Sequence, residues 1–238
     1  MKILYLGPQD CIYNFLSSKG TVTNTENQIQ PSQIKEYDWV VSYGYKHILT
    51  KEHINLTKNP ILNLHISFLP WNRGADPNYW SWVENTPKGV TIHAISEIID
   101  GGAIFVQKLV SFNQNETLSS SYNKLKNEIE SFFIKYFDKI INKEIQPKKQ
   151  QLKQGSIHYK KNFPGVESWD MPVKKLNMTD LEIIDEIEKI RSKNNVNWMD
   201  ILRLSFKHAP KEARDIISKI NNDDNKISDL LKQLSNNG

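Results

Sequence analysis

The sequence predicts an α/β fold, a mostly parallel sheet followed by a smaller, mixed and mainly helical C-terminal region. Three observations carry this. Short apolar runs bounded by turn residues recur through residues 1–112 and alternate with segments able to form helices. The runs are nearly continuous rather than strictly alternating, as strands covered on both faces require. From residue 117 the apolar spacing changes to three and four and stays helical over most of the remaining chain.

The elements follow in order. "KILYL" at 2–6 is rich in strand formers and is stopped by Gly7-Pro8, so it opens the sheet. Residues 10–18 form the first helix. "DWVVSYGY" (38–45), "ILNLHI" (61–66), "GVTIHAI" (89–95) and "AIFVQKLVSF" (103–112) supply further strands. Residues 117–141 carry Leu118, Tyr122, Leu125, Ile129, Phe132, Phe133 and Tyr136 at helical spacing behind Thr117, a good N-cap. Residues 142–155 are a polar connector. "SIHYKKNFPGVESWDMP" (156–172) offers a short strand and a hairpin. Thr179 and Glu182 make a capping box ahead of Ile183, Ile184, Ile187 and Ile190, and further helical stretches lie near 197–207, 211–221 and 226–234. The chain thus divides into an α/β domain, 1–150, and a C-terminal hairpin plus helical region, 151–238.

Composition removes several classes of function. The net charge of +4 is modest and interspersed, which suits an anionic small substrate and gives no basic stripe for nucleic acid. No apolar run approaches the length of a membrane span, and "MKILYLG" is too short for a secretion signal, so a cytoplasmic location is expected. The single cysteine, Cys11, excludes an internal disulfide and reads as a small buried hydrophobe. The first strand leads into "LGPQDC" rather than a G-x-G-x-x-G turn, and no phosphate-binding loop is present. Six histidines form no H-E-x-x-H pair and one cysteine builds no Cys-based zinc site, so no metal is expected. No G-x-S-x-G elbow occurs.

The chemistry concentrates in "ILNLHISFLPWNRGADPNYWSW" (61–82). Alternation puts Asn63 and His65 on one strand face, near the carboxyl end, where open α/β sheets bind ligands. An amide donor beside an imidazole suits acyl transfer. Asn63 can donate to a developing oxyanion, and His65 can assist or move a proton. Asp100, between an apolar strand and Gly101-Gly102, supplies a carboxylate to orient the imidazole. With no serine or cysteine nucleophile in this group, the nucleophile is the substrate itself. Each residue alone also has an ordinary structural explanation: a satisfied core histidine, a strand-end turn residue, a tight turn.

The combination is more specific. "NLHISFLPWNRGADPNYWSW" followed by "GVTIHAISEIIDGGAIFVQ" resembles the formyltransferases that use N10-formyltetrahydrofolate, with their Asn-x-His pair, Ser-x-x-Pro loop (Ser67 to Pro70) and distal Asp-x-Gly turn (Asp100, Gly102). The resemblance covers roughly residues 1–140 and implies a Rossmann-like formyltransferase domain. The "NRGADPNYWSW" variant looks like the sugar N-formyltransferase branch. The activity implied is formyl transfer to the amine of a dTDP-linked amino-dideoxysugar, dTDP-4-amino-4,6-dideoxyglucose above all, for O-antigen and lipopolysaccharide biosynthesis.

By that resemblance Asn63 and His65 hold the formyl oxygen, and Asp100 orients His65 and helps take the proton of the amine. "SYGYKHILT" matches the loop bordering the folate, so backbone near His47 and Leu49 contacts the pterin, while Ile95, Ile98 and Ile99 wall its other side. Arg73, Asp76, Asn78, Tyr79 and Trp80 belong to the loop facing the amine substrate. Lys160 approaches its phosphates, and Gln9 is a further substrate contact. Analogy also implies a homodimer formed through the hairpin at 156–170. Nucleic acid and membrane are not expected as partners. Two alternatives remain: another formyltetrahydrofolate-dependent formyltransferase or hydrolase of the same fold, against which the aromatic loop and the annex speak, or a non-catalytic nucleotide-sugar or folate-binding module.

Overall fold

The computed structural model describes residues 1–113 and 115–236, leaving out the side chains of 180, 186, 193–196 and 233–236. It divides into two compact units, Met1–Asn177 and Met178–Gly238. The first contains a six-stranded sheet. Its strands are β1 (Lys2–Leu6), β2 (Thr21–Thr25), β3 (Trp39–Ser42), β4 (Leu62–His65), β6 (Gly89–Ala94) and β7 (Ile104–Leu109). They lie in the order β2-β1-β3-β4-β6-β7. β2, β1, β3 and β4 run parallel to one another, whereas β6 runs antiparallel to both β4 and β7. A separate two-stranded pair joins β5 (Arg73–Gly74) to β8 (Ile157–His158) in parallel.

Side-chain alternation builds a layer on each face of this sheet. Ile3 and Tyr5 of β1 face α1 (Cys11–Lys19) and the long α4 (Leu118–Ile141), where Leu125, Ile129, Phe133 and Phe137 are fully buried or nearly so. Leu4 and Leu6 point the other way, onto Ile29, Ile34, Leu49 and Ile61. Asp10 caps α1 by accepting from Ile12 and Tyr13 backbone N–H groups, and Thr117 caps α4 through Ser120 N–H. A third apolar cluster, around Tyr79, Leu118 and Val173, lies between α3 (Pro77–Val83) and the start of α4.

Several sequence expectations need correction. The polar edge strand β2, "TVTNT", went unread because one exposed edge leaves it without an apolar pattern. The runs at 89–95 and 103–112 are strands, but antiparallel ones, because a short connection rather than a helical crossover joins them. The segment 156–172 forms no hairpin: Ile157–His158 pairs with Arg73–Gly74 instead. That pairing places residues 151–177 in the first unit, so the compact unit runs past the expected division at 150. Cys11 is exposed at the start of α1 rather than buried. In the second unit the expected short helices are two long ones, α5 (Asp180–His208) and α6 (Pro210–Asn236), the first opened by the Thr179–Glu182 capping box.

Phe133 is fully buried between Phe15 and Phe137, at centroid distances of 6.1 and 5.2 Å. Its replacement by alanine leaves a cavity beneath the sheet. The expected loss is about 3–5 kcal/mol, read from urea unfolding of the full chain. A loss under about 1 kcal/mol would contradict this placement of α4 against the sheet.

Candidate active site

The carboxyl end of β4 meets the turn between β6 and β7 at Asp100. This residue adopts φ 45°, a left-handed conformation uncommon outside glycine. Its neighbours hold it there. A Cβ on Gly102 would sit 1.8 Å from the Ala94 carbonyl oxygen, so only glycine permits the turn to close. Gln150, buried in the connector, donates through Nε2 to the carbonyls of Asp100 (2.9 Å) and Gly102 (2.6 Å). The connector expected to be merely polar therefore braces the turn.

The Asp100 carboxylate then gathers three elements. Oδ2 accepts from the Gly74 backbone N–H at 2.8 Å. Oδ1 lies 3.3 Å from Asn63 Nδ2 on β4 and 3.5 Å from His93 Nε2 on β6. Oδ2 lies 3.8 Å from His65 Nδ1. Gly74 has φ 88°, and a Cβ there would meet the His158 carbonyl oxygen at 2.1 Å, so the β5–β8 pairing that presents its N–H needs glycine.

Two tautomers follow from carbonyl partners, which can only accept. His65 Nε2 is 3.3 Å from the Asn72 carbonyl oxygen, so Nε2 carries the proton and Nδ1 presents a lone pair toward Asp100. His93 Nδ1 is 2.9 Å from the Ala94 carbonyl oxygen, so its Nε2 is the acceptor for Asn63 Nδ2 at 3.0 Å. His93 thereby fixes which end of the Asn63 amide faces the site. Sequence reasoning missed it; its one signal was its place near the end of an apolar strand, and only the register opposite Asn63 reveals its use.

Burial drives the His65 imidazole toward its neutral form, and the charge of Asp100 opposes this only in part. Burial pushes the Asp100 carboxyl up, but His65, His93 and the Gly74 N–H outweigh it and hold the carboxyl well below the usual carboxylate range. The site at neutral pH is a buried carboxylate beside a neutral imidazole whose free lone pair faces it.

Two cavities open on this centre. One, of about 450 Å³, is lined by Leu49, Ile95, Ile99 and His47, with Tyr159 and Lys160 at another edge. The other, of about 500 Å³, is lined by His65, Asp76, Tyr43 and Tyr122. They share Tyr45, Lys46, Asn63, Gly74, Ala75 and Asp100. The structure thus brings together Asn63, His65, Asp100, His47, Leu49, Ile95, Ile99, Asp76 and Lys160. Tyr43, hydrogen-bonded to Glu130 at 3.0 Å, and Tyr122 are wall residues that no motif singles out.

Other expected contacts lie elsewhere. Ile98 is half exposed and lines neither cavity, because the 95–99 segment turns it outward, and Gln9 is exposed before α1 and also lines neither. Arg73 is buried on β5, with Nε lacking a hydrogen-bond partner, and does not line the second cavity. Asn78 is spent on scaffold: it donates to the Leu118 carbonyl and accepts from Ser121 Oγ, tying α3 to α4. Tyr79 is buried against Trp80 and Phe163. Trp80 stacks on His158 at 4.2 Å, supporting the wall instead of forming it. Pro77 fixes the start of α3, and the helical turn that follows rotates these side chains inward. Among the described residues no group of three or more His, Cys, Asp or Glu could hold a metal ion.

A donor amide, a neutral imidazole and a buried carboxylate thus lie together between two cavities. A formyl transferase family model matches residues 14–136, and the chain belongs to that family. It is 34% identical over 145 residues to the methionyl-tRNA formyltransferase of Thermodesulfovibrio yellowstonii, covering 59% of this chain and 46% of that protein. It is 27% identical to the dTDP-4-amino-4,6-dideoxyglucose formyltransferase of Mycobacterium bovis, covering 58% of each. The chain spans about half the length of these curated relatives. The crystal structure of the formyltransferase PseJ from Anoxybacillus kamchatkensis, in complex with UDP-4,6-dideoxy-4-formamido-L-AltNAc and tetrahydrofolate, is similar at TM-score 0.70 and 39% identity, over 74% of this chain and 98% of that one. The Mycobacterium tuberculosis protein Rv3404c, described as a likely sugar N-formyltransferase, shares the fold at TM-score 0.60 and 22% identity.

Both pKa values at the centre are depressed by folding. The stability these groups supply is therefore complete above their unfolded values, about 6.5 for histidine and 3.9 for aspartate, and is lost as pH falls through the folded values. Turnover that needs a neutral His65 is expected to be flat above about pH 6.5 and to fall only below it. An NMR titration that placed the His65 imidazole at pH 7 or above would contradict the buried neutral imidazole.

Proposed function

We propose that this chain transfers a formyl group from N10-formyltetrahydrofolate to the amine of a nucleotide-linked amino-dideoxysugar. One observation carries the reading: two cavities share a wall that holds Asn63 and Asp100, with His65 lining one of them. The apolar cavity bounded by Leu49, Ile95 and Ile99 suits the flat pterin, and the cavity bounded by His65, Tyr43, Tyr122 and Asp76 suits the acceptor. The folate supplies the formyl group and no metal is required.

Each residue then has a task. The acceptor amine must lose a proton to attack the formyl carbon. His65 Nδ1 is the lone pair available to take it, the Asp100 carboxylate stabilises the imidazolium that results, and the proton passes to N10 of the folate as the C–N10 bond breaks and tetrahydrofolate leaves. Asn63, held by His93, turns its second N–H from the long 3.3 Å bond to Asp100 onto the oxyanion that develops on the formyl oxygen. Lys160 at the cavity edge suits an anionic group, and Asp76 suits sugar hydroxyls or the ammonium form of the amine.

The acceptor is a 4-amino-4,6-dideoxysugar. The curated mycobacterial relative is named for a sugar with nitrogen at C4, and PseJ was crystallised with a 4-formamido sugar. The expected nucleotide was dTDP. The higher identity to PseJ, over nearly all of that chain, favours UDP instead, with a role in the biosynthesis of surface glycans.

The test is turnover of purified full chain with N10-formyltetrahydrofolate and either UDP- or dTDP-linked 4-amino-4,6-dideoxysugars, following tetrahydrofolate release and product mass. The expected result is one formyl group gained on the sugar amine. Tetrahydrofolate release without a formylated sugar would mean hydrolysis and overturn the reading. His65→Asn is expected to lower turnover at least 100-fold, in the order of ~10²–10⁴ for a lost general base, with folate binding retained. Loss of folding in that variant would instead mark His65 as a core residue.

A further inference from the structure

A neutral imidazole carries one proton, and two acceptors compete for the one on His65. Asp100 Oδ2, 3.8 Å from Nδ1, attracts it to that nitrogen. The Asn72 carbonyl oxygen, 3.3 Å from Nε2, attracts it to the other. With the proton on Nδ1, His65 donates to Asp100 and has no lone pair left to take a proton from an amine there. The competent tautomer therefore depends on how firmly the Asn72 carbonyl is held.

Asn72 does not hold itself. Its φ is 52°, in the left-handed region that residues other than glycine seldom adopt. It is fully buried, so protein groups rather than solvent must satisfy its polar atoms. Ser156 meets two of them. Its hydroxyl oxygen accepts from the Asn72 backbone N–H at 3.0 Å, and its hydroxyl proton has Asn72 Oδ1 within reach at 3.2 Å. Thr86 Oγ1 accepts from Nδ2 at 2.6 Å. The Ser156 carbonyl also accepts from the next backbone N–H, that of Arg73, at 3.1 Å.

Glu84 sets the direction of the Ser156 hydroxyl. Its Oε2 lies 3.1 Å from Ser156 Oγ, and a carboxylate only accepts. The hydroxyl proton is thus drawn toward Glu84 or Asn72 Oδ1, and either choice leaves an oxygen lone pair for the Asn72 N–H. An alanine at 156 keeps the carbonyl bond to Arg73 N–H and the β5–β8 pairing, both of which are backbone. It removes the partner of the buried Asn72 N–H and of Oδ1 together. The strained backbone at 72 then loses the contact that holds it, and its carbonyl moves off His65 Nε2.

We infer that Ser156 is a positioning residue, which through Asn72 holds His65 in the tautomer whose Nδ1 lone pair is free. Ser156 lies beyond the family match, which ends at residue 136, as does Gln150, which braces the Asp100 turn. The 150–156 segment thus steadies both members of the His65–Asp100 pair. The inference rests on the reading of His65 as the base in formyl transfer and names what keeps it one.

The experiment is nitrogen-15 NMR of the full chain labelled at histidine, at about pH 8, where a free histidine is neutral. The His65 signals are assigned by their loss in His65→Asn. The wild type is expected to carry the proton on Nε2, and Ser156→Ala to shift it measurably toward Nδ1. Turnover of Ser156→Ala with the formyl donor and amino sugar is expected to show kcat lowered about 10–100-fold, with the KM for the folate within about twofold of wild type. Ser156→Thr, which keeps the hydroxyl, is expected to restore both the tautomer and kcat. A wild-type proton on Nδ1 would overturn the inference without any variant. So would an unchanged tautomer in Ser156→Ala, or a threonine variant no better than alanine. Where Ser156→Ala does not fold, Thr86→Ala frees Asn72 from its other end and is expected to shift the same proton; no shift there removes the inference. The tautomer is read without turnover, so the expected shifts in a chain that formylates no amino sugar would support the positioning role while removing the proposed activity.

Discussion

The buried carboxylate of Asp100 is the constraint on which the rest of this site depends. An ionised carboxylate removed from water costs several kcal/mol unless its oxygens are paired. This one accepts from two directions, a backbone N–H of β5 and the Asn63 amide of β4, with the two imidazoles packed beside it. Each donor comes from a different part of the chain. The requirement to satisfy one charge therefore sets the relative positions of β4, β5, β6 and the 96–103 turn. Gln150 extends the same logic by holding the backbone of the turn from the far side.

That arrangement also explains the division of labour between the two histidines. Both end near the carboxyl end of β4, with rings 6.1 Å apart and nearly perpendicular. His93 spends its proton on a neighbouring carbonyl and its lone pair on Asn63, so it is a positioning residue with no capacity left over. His65 spends its proton on the Asn72 carbonyl and keeps its lone pair. Two identical side chains differ in chemistry because their carbonyl partners differ. Asn72 can present that carbonyl because it too has positive φ, and its own side chain is held by Thr86 at 2.6 Å.

The aromatic loop teaches the opposite lesson. Its tryptophans and tyrosine invite assignment to a sugar or a base, yet they are the core of a small cluster sealing α3 against the 159–176 segment. Their energetic task is burial, each large ring removing apolar area from water. The cavity beside His65 takes its aromatic walls from Tyr43, Tyr45 and Tyr122 instead, on elements distant in sequence. Trp80 matters to the site through His158, whose stacked ring it supports at the edge of the other cavity.

Sequence alone determined the strands that alternation and turn residues mark, the long α4, the capping box of α5 and the Asn63, His65, Asp100 set. These are legible because strand and helix periods are local, and because a chemical group on an apolar strand stands out against its surroundings. Tertiary structure decided the rest. Antiparallel pairing of β6, recruitment of His93 and Gln150, burial of Arg73 and Asn78, and the capture of Ile157–His158 by β5 all depend on which segments meet. No local pattern encodes those meetings. A buried donor or acceptor is satisfied by whatever partner the fold brings within about 3 Å, and that partner can lie a hundred residues away.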